Sequence, residues 1–139
     1  MTENLRDLDR ELVTIPIFGG LSRRKRAMLL DMSKVVDHDI DHEVATQGEG
    51  ALALHLVLEG RASVRVGGSE VRQLGPGEYF GEISMIDGKR RSATVVATEP
   101  LRTLAVPHLA FREVVMDDPE RARELLLMLC ARLREAESR

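Results

Sequence analysis

The chain has very little cysteine and few aromatic residues. Its 139 residues include one cysteine, Cys130, and no tryptophan, and phenylalanine and tyrosine together make up 3%. A single cysteine excludes an intrachain disulfide framework and favours a reducing compartment. We therefore expect a cytoplasmic protein.

Long apolar runs and an excess of positive charge are also absent. No window approaches the ~20 consecutive apolar residues that a membrane helix needs, and the charge-rich segment 1–12 does not resemble a signal peptide. The net charge of −3 provides no global basic field for nucleic acid or anionic membranes. The composition and length are typical of one soluble globular domain, and we expect no membrane association.

Two helices are predicted before residue 34. The leucines within residues 4–13 recur at helical spacing. Pro16 is expected to interrupt this helix, and Gly19-Gly20 to add a second break. Ser22 stands at the N-cap position of a further helix at 23–32.

The last third of the chain is also predicted to be helical. Residues 107–116 form a short helical run. Asp118 then provides an N-cap acid, Pro119 suits the first helical position and Glu120 places an acid in the first turn. No glycine or proline follows, so this helix is expected to continue to Arg139.

The middle of the chain shows the period of two that is typical of strands. Apolar and polar residues alternate between residues 54 and 66, and Gly60 and Gly67-Gly68 bound these runs. Together they predict seven or eight short strands, enough for a jelly-roll-like barrel. The remaining strand-like runs are 35–45, 71–74, 94–98 and 101–106.

One short segment combines groups that suit an anionic ligand. Gly81 precedes a predicted helical turn that begins near Glu82, and the free amides around Ile83 and Ser84 favour an anion there. Arg91 follows nine residues after Glu82, so the chain can fold back and present a guanidinium to the same anion.

The other side chains of this segment suit a sugar. An ionised Glu82 is acceptor-only and would repel a phosphate, so a ribose hydroxyl is its natural partner. Ser92 adds a hydroxyl that can donate to a phosphate or to a base edge. The segment therefore predicts a small ligand that carries both hydroxyls and a phosphate.

These residues resemble a known motif. The sequence Phe80-Gly81-Glu82-Ile83-Ser84-Met85-Ile86, followed by Arg91-Ser92-Ala93-Thr94-Val95, is similar to the phosphate-binding cassette of the cyclic-nucleotide-binding domain family. This family includes catabolite activator proteins, regulatory subunits of cyclic-AMP-dependent kinase and nucleotide-gated channels. The resemblance covers residues 17–134 and places the cassette at 79–95. Further segments at family-like spacings are Gln47-Gly48-Glu49, Gly60 and Gly75-Pro76-Gly77.

The resemblance implies a role for each matching residue. Glu82 would hold the ribose 2′-hydroxyl and Arg91 the cyclic phosphate, and the backbone near Gly81 and Ser92 would also contact the ligand. A serine rather than a threonine at position 92 favours cyclic AMP over cyclic GMP. The positions that would wall the base are Val64, Val71 and Leu74.

The resemblance also implies a fold and a mode of action. We expect an α+β domain with an eight-stranded antiparallel β-roll at 35–106, an N-terminal helical segment at 1–34, and hinge and lid helices at 107–139. Arg132 or Arg134 of the lid helix would cap the base. The domain would be a stand-alone regulator, not an enzyme, with no cofactor. It would signal through its C-terminal helices to an effector protein. Because the chain ends after the long helix, we expect no helix-turn-helix and no DNA reading.

Two other functions are less consistent with these residues. The same fold could serve as a nucleotide-independent interaction module. His38, His42 and Glu43 suggest a metal-dependent barrel enzyme, but their spacing shares a face only on a helix, and the flanking residues favour strand or loop. The basic run 23–26 could touch nucleic acid, although a solvated helix face is the simpler interpretation.

The last helix carries a heptad-like apolar seam. Its residues recur at alternating steps of four and three, which fits either a homodimer formed through this helix or coverage of the domain's own core. The seam consists of Ala122, Leu126, Leu129, Leu133 and Ala136.

Overall fold

The computed structural model, which describes residues 5–48 and 53–138, begins with three helices. Helix α1 spans Leu5–Val13, α2 spans Pro16–Gly19 and α3 spans Arg23–Met32. The Ser22 hydroxyl accepts a hydrogen bond from the backbone N–H of Lys25. The predicted N-cap of α3 is therefore confirmed.

Helix α2 corrects one expectation. Pro16 and Gly19 do not simply break the chain, because they begin and end a short helix of their own. Proline is tolerated at the first helical position, where its missing N–H would have no intrahelical partner. This turn buries Ile17 and Phe18 completely or nearly so.

Within the described residues, eight antiparallel strands follow the helices and form two four-stranded sheets, so the predicted α+β fold is confirmed. They are β1 Lys34–His38, β2 Glu43–Ala45, β3 Ala53–Glu59, β4 Ala62–Val66, β5 Ser69–Leu74, β6 Tyr79–Phe80, β7 Thr94–Ala97 and β8 Leu101–Pro107. The strand orders are β1-β8-β3-β6 and β2-β7-β4-β5. A short helix, α4, spans Glu82–Asp87 between β6 and β7.

Two apolar clusters hold the domain together. One joins the helices to the sheet that contains β3 and β8, with Phe18, Leu29 and Phe111 at its centre. The other fills the interior of the roll between the two sheets, and it includes Leu74 and Phe80. Phe80 of this second cluster lies two residues before the start of α4.

The C-terminal helices pack against the N-terminal ones. Helix α5 spans His108–Ala110 and continues as a π-helical turn over Phe111–Met116, and α6 spans Pro119–Glu137. The Asp118 carboxylate accepts hydrogen bonds from the backbone N–H groups of Glu120 and Arg121 at 3.1 and 3.3 Å. The predicted N-cap is therefore confirmed.

A buried arginine fixes the start of α6. Arg121 donates from Nη1 to the backbone oxygen of Pro16 at 2.8 Å, and the same atom lies 2.8 Å from Glu124 Oε2. Helix α6 is thereby tied to the start of α2. This attachment directs the second half of α6 toward Tyr79 and α4.

Candidate functional site

Glu82 is a buried carboxylate at the start of α4. The residue is 1% exposed, although glutamate is rarely buried unless it is paired. Its Oε1 atom pairs with Nη1 of Arg132 on α6. Its Oε2 atom is also buried and has no hydrogen-bond partner among the described residues. Half of this carboxylate is therefore available to a ligand.

Arg91 is a buried guanidinium in the loop between α4 and β7. It is 9% exposed, and its Nη2 atom donates to the backbone oxygen of Ala53 at 2.8 Å. Nη1 is buried without a partner in the part of the chain that the structure describes. Burial lowers the pKa of Arg91, whereas the nearby Glu82 carboxylate raises it. Arg91 thus presents a desolvated donor.

One cavity joins these two groups. It has a volume of about 50 Å³, and its lining includes four predicted ligand contacts, Gly81, Glu82, Arg91 and Ser92. Val64 of β4, a predicted base contact, lines it as well. Ile83 and Ser84 belong to the first turn of α4, where backbone N–H groups have no intrahelical acceptor. The structure therefore brings the acid, the guanidinium and the helix start together.

The other two predicted base contacts, Val71 and Leu74, lie on β5 outside this lining. Leu74 is fully buried in the roll interior, and Val71 packs against the same cluster. Their strand neighbour Arg72 lines the cavity instead. The sequence carries no clear signal for Arg72, because β5 contains a second charged residue, Glu70, and only two apolar residues.

A second, larger cavity lies between the roll and α6. It has a volume of about 510 Å³, and Arg72, Tyr79, Met128 and Arg132 contribute to its lining. The Arg132 guanidinium lies 6.0 Å from the centre of the Tyr79 ring, within cation–π range. Arg134, the other predicted base cap, is exposed. Arg132 is thus the lid arginine that reaches the site.

Gly81 is the position where the site is most sensitive to an added methyl group. Its φ is +95°, and a Cβ there would collide with Arg91 Nη1 and lie 3.1 Å from the Ala53 oxygen. We expect Gly81→Ala to displace Arg91 and to weaken cyclic AMP binding by at least about tenfold. Isothermal titration calorimetry measures this loss.

Gly68→Ala is the matched control for this substitution. Gly68 has a similar φ of +84°, a Cβ there would meet nothing within 4 Å, and the residue lines neither cavity. Both variants share a backbone cost of roughly 1–2 kcal/mol in the unfolding free energy. If both variants bound cyclic AMP as the wild type does, the position of Arg91 would not matter to the ligand.

The remaining candidate sites have structural partners. Arg26 pairs with Asp9 at 2.7 Å, and Lys25 lies 3.6 Å from Asp118, so half of the basic run is committed within the domain. The rings of His38 and His42 stack at 5.8 Å. Within residues 5–48 and 53–138, no group of three or more histidine, cysteine, aspartate or glutamate side chains is placed to hold a metal ion.

The comparisons with known proteins agree with the geometry. A profile of the cyclic nucleotide-binding domain matches residues 40–118. The chain belongs to the cyclic nucleotide-binding domain family. The resemblance read from the cassette residues is therefore confirmed.

Three relatives show the range of this similarity. The cyclic AMP receptor protein of Thermus thermophilus is 33% identical over 127 residues, which are 88% of this chain and 59% of that protein. A CRP-like cAMP-activated global transcriptional regulator of Mycobacterium tuberculosis is 30% identical over 133 residues, which are 91% of this chain and 59% of that protein. The crystal structure of the sensor domain of the regulator DNR from Pseudomonas aeruginosa superposes with a TM-score of 0.82 at 26% identity, and covers 96% of this chain and 93% of that one.

The match covers only part of the length of the two curated relatives. The chain spans about 59% of the two curated relatives. These relatives are named as a cyclic AMP receptor protein and a cAMP-activated global transcriptional regulator. Among the described residues of this cyclic nucleotide-binding domain, no helix is long and apolar enough to cross a membrane.

Proposed function

We propose that this domain binds a cyclic nucleotide, with cyclic AMP as its first ligand, and reports occupancy through its C-terminal helices. The observation that carries the proposal is the pair of buried, unpartnered atoms, Glu82 Oε2 and Arg91 Nη1, on residues that line one cavity. A buried polar atom without a partner costs roughly 1–3 kcal/mol. A ligand that satisfies both atoms recovers this cost.

A cyclic nucleotide supplies the matching groups. A ribose hydroxyl donates to the acceptor Glu82 Oε2, and the cyclic phosphate accepts from Arg91 Nη1 and from the first turn of α4. Ser92 favours cyclic AMP, and both curated relatives carry that nucleotide in their names. Binding a cyclic nucleotide in this way needs no group of catalytic residues, so we propose that the domain binds it without hydrolysing it.

The size of the cavity argues that a bound nucleotide extends beyond it, toward α6. About 50 Å³ is far below the ~300 Å³ or more that ligand pockets usually have. The nucleotide must therefore extend toward α6, where Arg132 already contacts Glu82. A ligand that prefers one position of α6 shifts the populations of that helix.

The output of such movement is proposed to be a protein contact. Leu126 and Leu133 of α6 are 63% and 60% exposed, whereas Leu125 is buried at 3%. One face of α6 therefore packs on the domain, and within the predicted seam Leu126 and Leu133 face outward whereas Leu129 packs against the domain core. We propose that this seam meets an effector protein or a second copy of the chain.

Calorimetry with cyclic AMP, cyclic GMP and linear AMP tests the binding proposal. We expect micromolar affinity for cyclic AMP, about 8 kcal/mol, and no measurable binding of AMP. Absence of binding by both cyclic nucleotides would favour a nucleotide-independent interaction module instead.

Hydrogen exchange tests the switch separately. We expect added cyclic AMP to change the protection of residues 107–138, because the ligand reaches Glu82 and Glu82 contacts Arg132. Identical protection in the presence of bound ligand would refute the switch and leave the binding proposal standing.

A further inference from the structure

A groove runs between α1 and α3, and we call it the α1–α3 groove. All of its lining residues belong to these two helices, and none of them lines the cavity at Glu82 or the cavity beside α6. Its volume is about 770 Å³, within the range of roughly 300–1,000 Å³ that is usual for ligand pockets. The groove is therefore a concave surface that the nucleotide site does not account for.

Positive charge predominates in the α1–α3 groove. Two aspartates also line it, but Asp9 is already paired with Arg26, whose Nε lies 2.7 Å from its Oδ1, and Arg26 is not part of the lining. Asp31 is the other carboxylate. The groove thus carries an excess of positive charge, although the net charge of the whole chain is −3. The exposed arginines that line it are Arg6, Arg10, Arg23 and Arg24.

Arg23 and Arg24 are not engaged by the domain. The side chain of neither forms a hydrogen bond or an ion pair with a described residue, whereas Lys25 and Arg26 each form an ion pair. Both arginines also stand in the first turn of α3, where positive charge is unfavourable to a helix. The stability of the domain therefore does not explain these two arginines, but a negatively charged partner does.

Apolar side chains accompany the arginines. Ala27 and Met28 also line the groove, and each follows one of the two arginines by four residues. Residues four apart lie on the same face of a helix, so this face of α3 presents an arginine pair and, one turn later, an apolar pair. Met28 is 45% exposed. A complementary partner must supply apolar side chains as well as carboxylates.

We propose that the α1–α3 groove binds an acidic amphipathic helix of a partner protein. In this mode of recognition the apolar face of the bound helix lies in the groove, here on Met28, and its carboxylates accept hydrogen bonds from Arg23 and Arg24. Helix α3 has ten residues and is roughly 15 Å long, which corresponds to about three turns of a partner helix. A nucleic-acid backbone suits the groove less well, because it offers Met28 no apolar partner and its phosphates would meet Asp31. The proposal does not depend on nucleotide binding.

Fluorescence anisotropy with a labelled synthetic peptide tests this docking site on the 139-residue chain. The peptide has about twelve residues, with leucine at positions i, i+3, i+4 and i+7 and glutamate elsewhere. We expect a dissociation constant on the order of 10–100 μM, as for a small interface, and weaker binding as the salt concentration rises from about 50 to about 500 mM. A scrambled peptide of the same composition is not amphipathic, so it is expected to bind at least about tenfold more weakly. Equal binding of the two peptides would show non-specific charge attraction and would overturn the proposal.

The double variant Arg23→Glu/Arg24→Glu locates the bound peptide. It replaces two attractive charges with repulsive ones, so we expect at least about a tenfold loss of affinity. Acidic residues in the first turn favour a helix, so this variant is expected to fold, and circular dichroism verifies that it does. Met28→Ala is expected to lose roughly 2- to 10-fold, because it removes apolar contact area. The matched control Arg61→Glu/Arg123→Glu makes the same change in net charge at exposed positions outside the groove, with an expected effect of less than about threefold.

Three results would overturn the docking site. The first is an unchanged affinity of Arg23→Glu/Arg24→Glu for the peptide. The second is an equal loss of affinity in the Arg61→Glu/Arg123→Glu control, which would show that net charge alone governs binding. The third is a wild-type chain that does not bind the peptide but binds a DNA duplex or phosphatidylserine vesicles through Arg23 and Arg24, because the partner would then belong to another class of molecule.

Discussion

Replacing Arg91 with alanine is expected to weaken cyclic AMP binding by roughly 10- to 100-fold. The guanidinium is nearly buried, and its Nη1 atom has no partner in the described part of the protein. Its removal deletes a charge-assisted hydrogen bond and leaves the phosphate without its principal cation. Isothermal titration calorimetry of the wild type and the variant at one salt concentration measures the change.

Arg90→Ala is the matched control for this result. Arg90 is the sequence neighbour and also an arginine, but it is exposed and donates to the backbone oxygen of Gly48 at 2.9 Å. It does not line the site cavity, so its loss is expected to change the affinity by less than about threefold. Equal affinities of Arg91→Ala and the wild type would remove Arg91 from the site.

The contact between Glu82 and Arg132 gives the proposed switch a physical basis. A ribose hydroxyl bound to Oε2 would share the Glu82 carboxylate with Arg132, which pairs with Oε1. Ligand and lid helix would then interact through one buried group instead of through a long chain of contacts. If ligand binding changes the strength of the Arg132–Glu82 contact, that contact must change the affinity for the ligand by the same free energy, because coupling between two sites is reciprocal.

The cassette could be predicted from the sequence because its determinants are local. Gly81 adopts a positive φ, Glu82 begins α4, and Arg91 returns to the same cavity after one short loop. The N-caps at Ser22 and Asp118 are local in the same sense, since each bonds to N–H groups two or three residues away. Such features need no knowledge of the tertiary structure.

The placement of Arg72 and the pairing of Arg132 with Glu82 could not be predicted in the same way. The partner of Arg132 is fifty residues away in the sequence, and only the packing of α6 brings them together. The side of the sheet on which Arg72 lies depends on how β4 pairs with β5. This pairing shifts register between Val64 and Arg65. A shift of one residue exchanges the two faces of a strand, so alternation alone does not show which β5 side chain faces the cavity.

A partly buried histidine on β3 makes the fold sensitive to acid. His55 on β3 shares the Thr103 hydroxyl with His38, and each ring nitrogen lies 3.0 Å from Oγ1. Its ring stacks on Phe80 with centroids 5.1 Å apart. Burial, with smaller contributions from the charges of His38 and Arg91, lowers the pKa of His55 from 6.5 to about 4. The folded state therefore keeps this ring neutral.

We expect His55 to cost the ligand-free domain up to about 3 kcal/mol of unfolding free energy as the pH falls from 6.5 to about 4. Its pKa is lower in the folded state, so in this window the unfolded chain binds the proton first and stability rises with pH. His55→Asn keeps a polar partner for Thr103 but does not titrate, and urea unfolding at several pH values is expected to show a smaller loss of unfolding free energy in this variant.

Other groups contribute to the pH dependence of the unfolding free energy. The pKa of His38 is also lowered by burial, so the His55→Asn variant is expected to keep part of the slope. The lowered pKa values of Asp37 and Asp118 act below this window. His108→Asn, which is remote from the cluster, should retain the wild-type slope, and a His55→Asn variant with that same slope would show that His55 does not control acid stability.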